Sequence, residues 1–162
     1  SIRIPMLWHW PAGFDSQVCD GQVSSLIDVA PTLASLVGAE EGNEHFQGRN
    51  LMPSLTGAAE ALPENYAIVE AMRGEIGVRT PRFMYGIKTD GRSNRRGVEV
   101  LDDRFMFFDL AEDPYEMKNL AGSDVHSDVA EELKSVALAF HQETPWLNIE
   151  PDSDDGELLS HD

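Results

Sequence analysis

Apolar positions follow three rhythms along this chain. Ile2 to Trp10, IRIPMLWHW, is nearly continuous in Ile, Met, Leu and Trp and closes on Pro11-Ala12-Gly13, the pattern of a buried strand ended by a turn. Such a strand needs sheet neighbours on both sides, which only an upstream segment or a distant later strand can supply. Two later stretches instead repeat at helical spacing. In Ser24 to Gly38, SSLIDVAPTLASLVG, Asp28 is placed to cap a short helix, Pro31 sits in its first turn and Gly38 lies just past its end, with Val29, Leu33, Leu36 and Val37 forming one buried stripe. Asp124 to Thr144 carries Val129, Leu133, Val136, Ala137 and Phe140 on one face and Asp128, Glu131, Glu132, Lys134 and Gln142 on the other, and Pro145 ends it.

Between these helices the period shortens to that of strands. Ala39 to Asn65 is rich in Gly, Pro, Asn and Glu, a surface connection anchored by Leu51 to Leu55 with a boundary near Gly57 to Pro63. Tyr66 to Met72, Ile76 to Arg79 and Arg82 to Thr89 then read as strands, the last closed by the turn dipeptide Asp90-Gly91. After a basic loop, Arg92 to Gly97, the runs Val98 to Leu101 and Arg104 to Leu110 flank a second turn expected at Asp102-Asp103. An antiparallel meander, covered on one face by the last helix, accounts for this order most simply. The tail from Glu150 to Asp162 holds six acidic residues and no Lys or Arg, so it is expected to be disordered.

Charge narrows the partners. With 29 acidic against 12 basic residues the formal net charge is −17, which disfavours nucleic acid and anionic lipid surfaces; solubility, including in a salty setting, explains it best. The chain has 162 residues, 41% of them hydrophobic, enough for one compact unit or two small ones. No apolar run approaches the roughly 20 residues needed to cross a bilayer, and no secretory leader is visible, so the chain reads as soluble and without a membrane partner. It opens at Ser1 without an initiator Met, which leads us to expect a piece of something longer.

Candidate chemistry is sparse. In FFDLAEDPYEMKNLA, Phe107 to Ala121, the carboxylates Asp109, Asp113 and Glu116 could be read as oxygen ligands for Ca²⁺ or Mg²⁺, yet they lack the alternating donors and central Gly of an EF-hand loop. Conformation explains them better: Asp113 caps a turn of helix, Pro114 occupies its first position, Glu116 completes a capping box, Asn119 takes the left-handed conformation, and Leu120 tucks back against Phe108 or Leu110. His9, His45, His126, His141 and His161 show no metal-ligand spacing; Ser24 and Ser25 are not in a nucleophile elbow; no phosphate-binding Gly loop is present. Cys19 has no neighbouring cation to activate it and cannot form an internal disulfide. One feature stands out from this background: Arg73, Arg79, Arg82, Lys88, Arg92, Arg95 and Arg96 gather seven of the 12 basic residues in the meander, where guanidinium forks can bind sulfate, phosphate or carboxylate or pair with nearby carboxylates.

IRIPMLWHWPAG, SSLIDVAPTLASLVGA, FQGRNLMPSLTG, VRTPRFMYGI and FFDLAEDPYEMKNLAG, in this order and spacing from Ser1 to about Trp146, resemble the C-terminal part of sulfatases. Met84-Tyr85 departs from the Lys-Tyr pair common in that family, and the loop Arg92 to Gly97 is this chain's own. The resemblance implies an α/β, alkaline-phosphatase-like sulfatase fold. Residues 1–57 would form the C-terminal edge of the catalytic domain, with Ile2 to Trp10 a strand of its central sheet and Asp28 to Val37 a helix on that sheet's face. Residues 64–149 would form a small antiparallel sheet packed by a C-terminal helix, and 150–162 the acidic tail.

Sulfatases hydrolyse sulfate esters or sulfamates with a formylglycine made in a C/S-x-P/A-S-R motif and a Ca²⁺ held by Asp and Asn side chains. Neither motif is found here, since Cys19 is followed by Asp20-Gly21-Gln22, so no catalytic or metal residue is assigned to this chain. The resemblance implies an N-terminal part of the same sulfatase as partner and a sulfated small molecule or glycan as substrate. It leaves the compartment unknown, a periplasmic or extracellular location being compatible with a full-length family member, and makes Arg73, Arg79 and Arg82 the candidates for substrate contact. The alternative function is a stand-alone, non-catalytic carbohydrate- or anion-binding module derived from a sulfatase.

Overall fold

The structure, a computed structural model, describes residues 4–39, 46–71, 74–89 and 100–144. Its centre is an antiparallel meander of four strands in the order β1 (Ala67–Ala71), β2 (Glu75–Arg79), β3 (Phe83–Thr89) and β4 (Val100–Asp109). Register places Ile76 opposite Ile87, and Val78 opposite Tyr85, which in turn faces Phe107. Because side chains alternate across a strand, these five share one face. Onto it lies α3 (Ser127–Glu143), whose Leu133 and Ala137 complete the buried cluster while Val129, Val136 and Phe140 pack around it. The helical stripe read from the sequence is the one the sheet buries.

The expected turn at Asp102-Asp103 does not form, and β4 runs through both residues. Each carboxylate has an answer across the strand or from the helix. Asp102 pairs in register with Lys88 and accepts a hydrogen bond from the Arg104 amide at 2.9 Å. Asp103 takes Lys134 Nζ at 2.8 Å, and its carbonyl accepts the Tyr85 hydroxyl. With Asp103 met by a cation and Asp102 bonded by a backbone amide of its own strand, the Asp pair does not end the strand; it is absorbed by a register shift between Gly86 and Thr89. Asp90-Gly91 and the loop Arg92 to Gly97 lie outside the described residues, as does the tail 150–162.

On the other face of the sheet, glycines let side chains lie flat. A Cβ at Gly77 would meet Met84 Cε at 2.5 Å, and one at Gly86 would meet Met106 Cε at 2.5 Å. Methionine, unbranched and polarizable, fills the shallow surface these glycines leave.

The N-terminal half is built differently. Residues 4–10 form no strand, no backbone hydrogen bond joins 4–9 to any described residue, and Leu7 is 92% exposed. A strand is defined by its partners, and the meander closes on its own four strands without taking a fifth. The expected turn follows, with Gly13 and Phe14 amides donating to the Trp10 carbonyl at 2.9 Å. A short 3₁₀ turn, Leu26–Asp28, leads into α1 (Val29–Leu36), and Gly38 beyond it is left-handed at φ 70°.

The buried side of α1 is not the expected stripe: Asp28, Pro31 and Thr32 are enclosed, while Leu33 and Val37 are exposed. Hydrogen bonding decides this, because α1 packs on the connection that carries Leu51 and α2 (Met52–Leu55). The Thr32 hydroxyl donates to the Asp28 carbonyl at 2.6 Å and accepts the Leu51 amide at 3.0 Å.

Candidate functional site

Three arginine–carboxylate knots are the most highly organised polar features of the described residues. In the first, the edges of β3 and β4 bring Arg82 beside Asp109 across 27 positions of sequence. Arg82 Nη2 donates to Asp109 Oδ2 at 2.7 Å and Nε reaches both carboxylate oxygens, at 3.1 and 3.3 Å. His126 Nε2 lies 3.2 Å from the same Oδ2, and the Ala111 amide donates to Oδ1. The carboxylate is 3% exposed and the guanidinium 51%. Arg82, above all, together with the Ala111 amide, holds the Asp109 carboxyl at about 2 against the desolvation that would raise it. The ring of Phe83 completes the setting, with Arg82 5.0 Å over its centroid and His126 edge-on at 5.2 Å. His126 caps α3 in the left-handed conformation at φ 53°, so the knot fastens that helix to the sheet.

The second knot joins β2 to the segment beyond β4. Arg79 Nη1 lies 3.5 Å from Glu116 Oε1. Here the Asp113 to Asn119 reading needs correction: no turn of helix forms, and the left-handed residue is Glu116 at φ 57°, not Asn119. Asp113 does act as a cap, its carboxylate accepting the Lys118 amide at 2.7 Å, and the amides of Lys118 and then Met117 pull its pKa down. Asn119 serves the sheet instead. Its Oδ1 accepts the Phe107 amide at 2.9 Å and its Nδ2 donates to the Phe105 carbonyl at 3.1 Å, covering the outer edge of β4 as a neighbouring strand would. Leu120 donates to the Phe107 carbonyl and packs on the core beside Phe107.

The third knot has no counterpart in the sequence reading. Asp28, 1% exposed, accepts the Ser25 amide at 2.8 Å, the Arg49 amide at 2.7 Å and Arg49 Nη2 at 2.9 Å. Arg49 also donates to the carbonyls of Val23 and Glu64, so one guanidinium ties the start of α1 to the segment before it and to the end of the connection. Close approach makes this possible: a Cβ at Gly48 would stand 2.0 Å from the Ile27 carbonyl oxygen. The glycine before Arg49 was the available signal.

Of the arginines expected at a substrate, the structure thus places Arg79 and Arg82 at separate carboxylates, while Arg73 falls outside the described residues, as do Arg92, Arg95 and Arg96 of the basic cluster. Lys88 lies over the Phe105 ring. No three His, Cys, Asp or Glu side chains gather to hold a metal among the described residues. Asp28 and Asp109, the buried aspartates, both face guanidinium groups, which does not suit a cation. Cys19 lies 3.6 Å from the Ser54 carbonyl and has no described basic partner. It lines a cleft of about 690 Å³ with His9, Trp10, Phe14 and Leu55. A second cleft of about 790 Å³ runs between Ile4 to Met6, the β1 edge and Arg79. No described helix is long and apolar enough to cross a membrane.

A family model described as N-sulphoglucosamine sulphohydrolase, C-terminal, matches residues 1–143. Steryl-sulfatase of Mus musculus is 27% identical over 160 residues, a stretch covering 85% of this chain and 26% of the relative. Arylsulfatase A of Homo sapiens is 28% identical over 153 residues, covering 85% and 30%. The chain therefore spans less than a third of either relative. A structure solved in complex with its substrate, D-glucosamine-2-N,6-O-disulfate, superposes with a TM-score of 0.52 at 21% identity, covering 90% of this chain and 29% of that one. At this identity the likeness shows the fold.

Proposed function

The chain belongs to the family of N-sulphoglucosamine sulphohydrolase C-terminal domains, and on that premise we propose that it is the C-terminal part of a sulfatase, hydrolysing sulfate esters or sulfamates only together with an N-terminal catalytic part. The observation that carries this reading is the bare apolar surface of the N-terminal half. Ile4, Leu7, Val18, Leu26, Ile27, Leu33 and Val37 are all exposed, and 4–9 leave their backbone groups without described partners. So many exposed large apolar side chains, together with backbone lacking described partners, support a surface that the working molecule covers. Residues 1–57 are accordingly proposed as the edge of the catalytic domain and 64–149 as the C-terminal subdomain.

Formylglycine and a metal, Ca²⁺ in this proposal, are implied by the sulfatase relatives, and the described residues do not fit either. Both would belong to the N-terminal part. The substrate is proposed as a sulfated small molecule or glycan. A contact from Arg82 would use only its outward edge, since Nε and Nη2 are taken by Asp109.

The test is sulfate release by the native polypeptide from 4-methylumbelliferyl sulfate and from N- and 6-O-sulfated glucosamine in the presence of Ca²⁺. Release that disappears when the formylglycine-forming Cys or Ser is replaced by Ala is expected. A native protein that binds sulfated sugars but releases no sulfate would overturn the proposal in favour of a binding module.

A further inference from the structure

We draw no further inference here: the strongest candidate, the exposed Tyr115 and Met117 at the tip of the loop between β4 and α3, is an apolar patch for which nothing in the structure shows what covers it.

Discussion

Replacing Asp109 by Asn removes one charge from the carboxylate that joins β3, β4 and the start of α3. The amide keeps one acceptor, which the Ala111 N–H can still use, but it turns N–H donors toward Arg82 and His126, themselves donors. Breaking a fully enclosed ion pair costs about 3–5 kcal/mol. Here Arg82 is 51% exposed and regains water when released, so the loss should be smaller, about 2–3 kcal/mol. With a urea slope of about 1–3 kcal/mol per molar, the unfolding midpoint of α3 and the meander should fall by about 0.7–3 M. The assay is urea unfolding of the full chain followed by far-UV circular dichroism, for wild type, Asp109→Asn, Arg82→Gln and the double variant. A coupling of about 1 kcal/mol or more between the two positions is expected. Additivity within about 0.5 kcal/mol would show that the two side chains do not hold each other and would refute the knot.

Acid should act through the same carboxylate. Asp109 is held at about 2, below its ordinary 3.8, so its contribution is complete above about pH 4 and is lost as pH falls through 3.8 toward 2. Wild type should therefore lose stability between about pH 4 and 2 more steeply than Asp109→Asn, although Asp103 and Asp113, also lowered, keep some slope in the variant; equal slopes would contradict the assignment. Gly48→Ala drives a Cβ into the backbone of Ile27 and Asp28 and should cost about 3 kcal/mol. Gly77→Ala meets only the movable end of Met84 and should stay within about 1 kcal/mol in the same unfolding assay. Asn119→Ala strips the Phe107 amide of its acceptor, and hydrogen exchange should show that amide opening about tenfold or more faster, with stability down by about 1–3 kcal/mol; unchanged exchange would mean that Asn119 does not seal the edge.

What could be read from the sequence, and what could not, divides by distance along the chain. The meander and α3 were legible because their signals are local: an apolar and aromatic run within Arg82 to Thr89 closed by Asp90-Gly91, and a seventeen-residue helix whose apolar stripe repeats from Val129 to Phe140. Asp102-Asp103 misled because turn chemistry is local, while the strand partner of Asp102 and the Lys134 ammonium that pairs with Asp103 arrive from another strand and a helix. The side of α1 that this chain buries was hidden for a similar reason. Its apolar spacing marked Leu33 and Val37, which belong to the bare surface proposed to be covered in the whole molecule, whereas the side enclosed here is polar, set by Asp28 and Thr32 bonding to residues 49 and 51. Asp109 and Arg82, like Asp28 and Arg49, are partnered across more than twenty positions, a pairing that no single stretch announces. The family resemblance, by contrast, rested on the order of five blocks and did not depend on such pairings.

The most direct test of the central claim is mass spectrometry of the native, untagged polypeptide, with peptide sequencing on the N-terminal side of Ser1. A longer chain carrying a C/S-x-P/A-S-R segment whose Cys or Ser has been converted to formylglycine is expected. A native product that begins at Ser1, with Leu7 and its neighbours exposed on a monomer that unfolds cooperatively and ignores hydrophobic dyes, would contradict it.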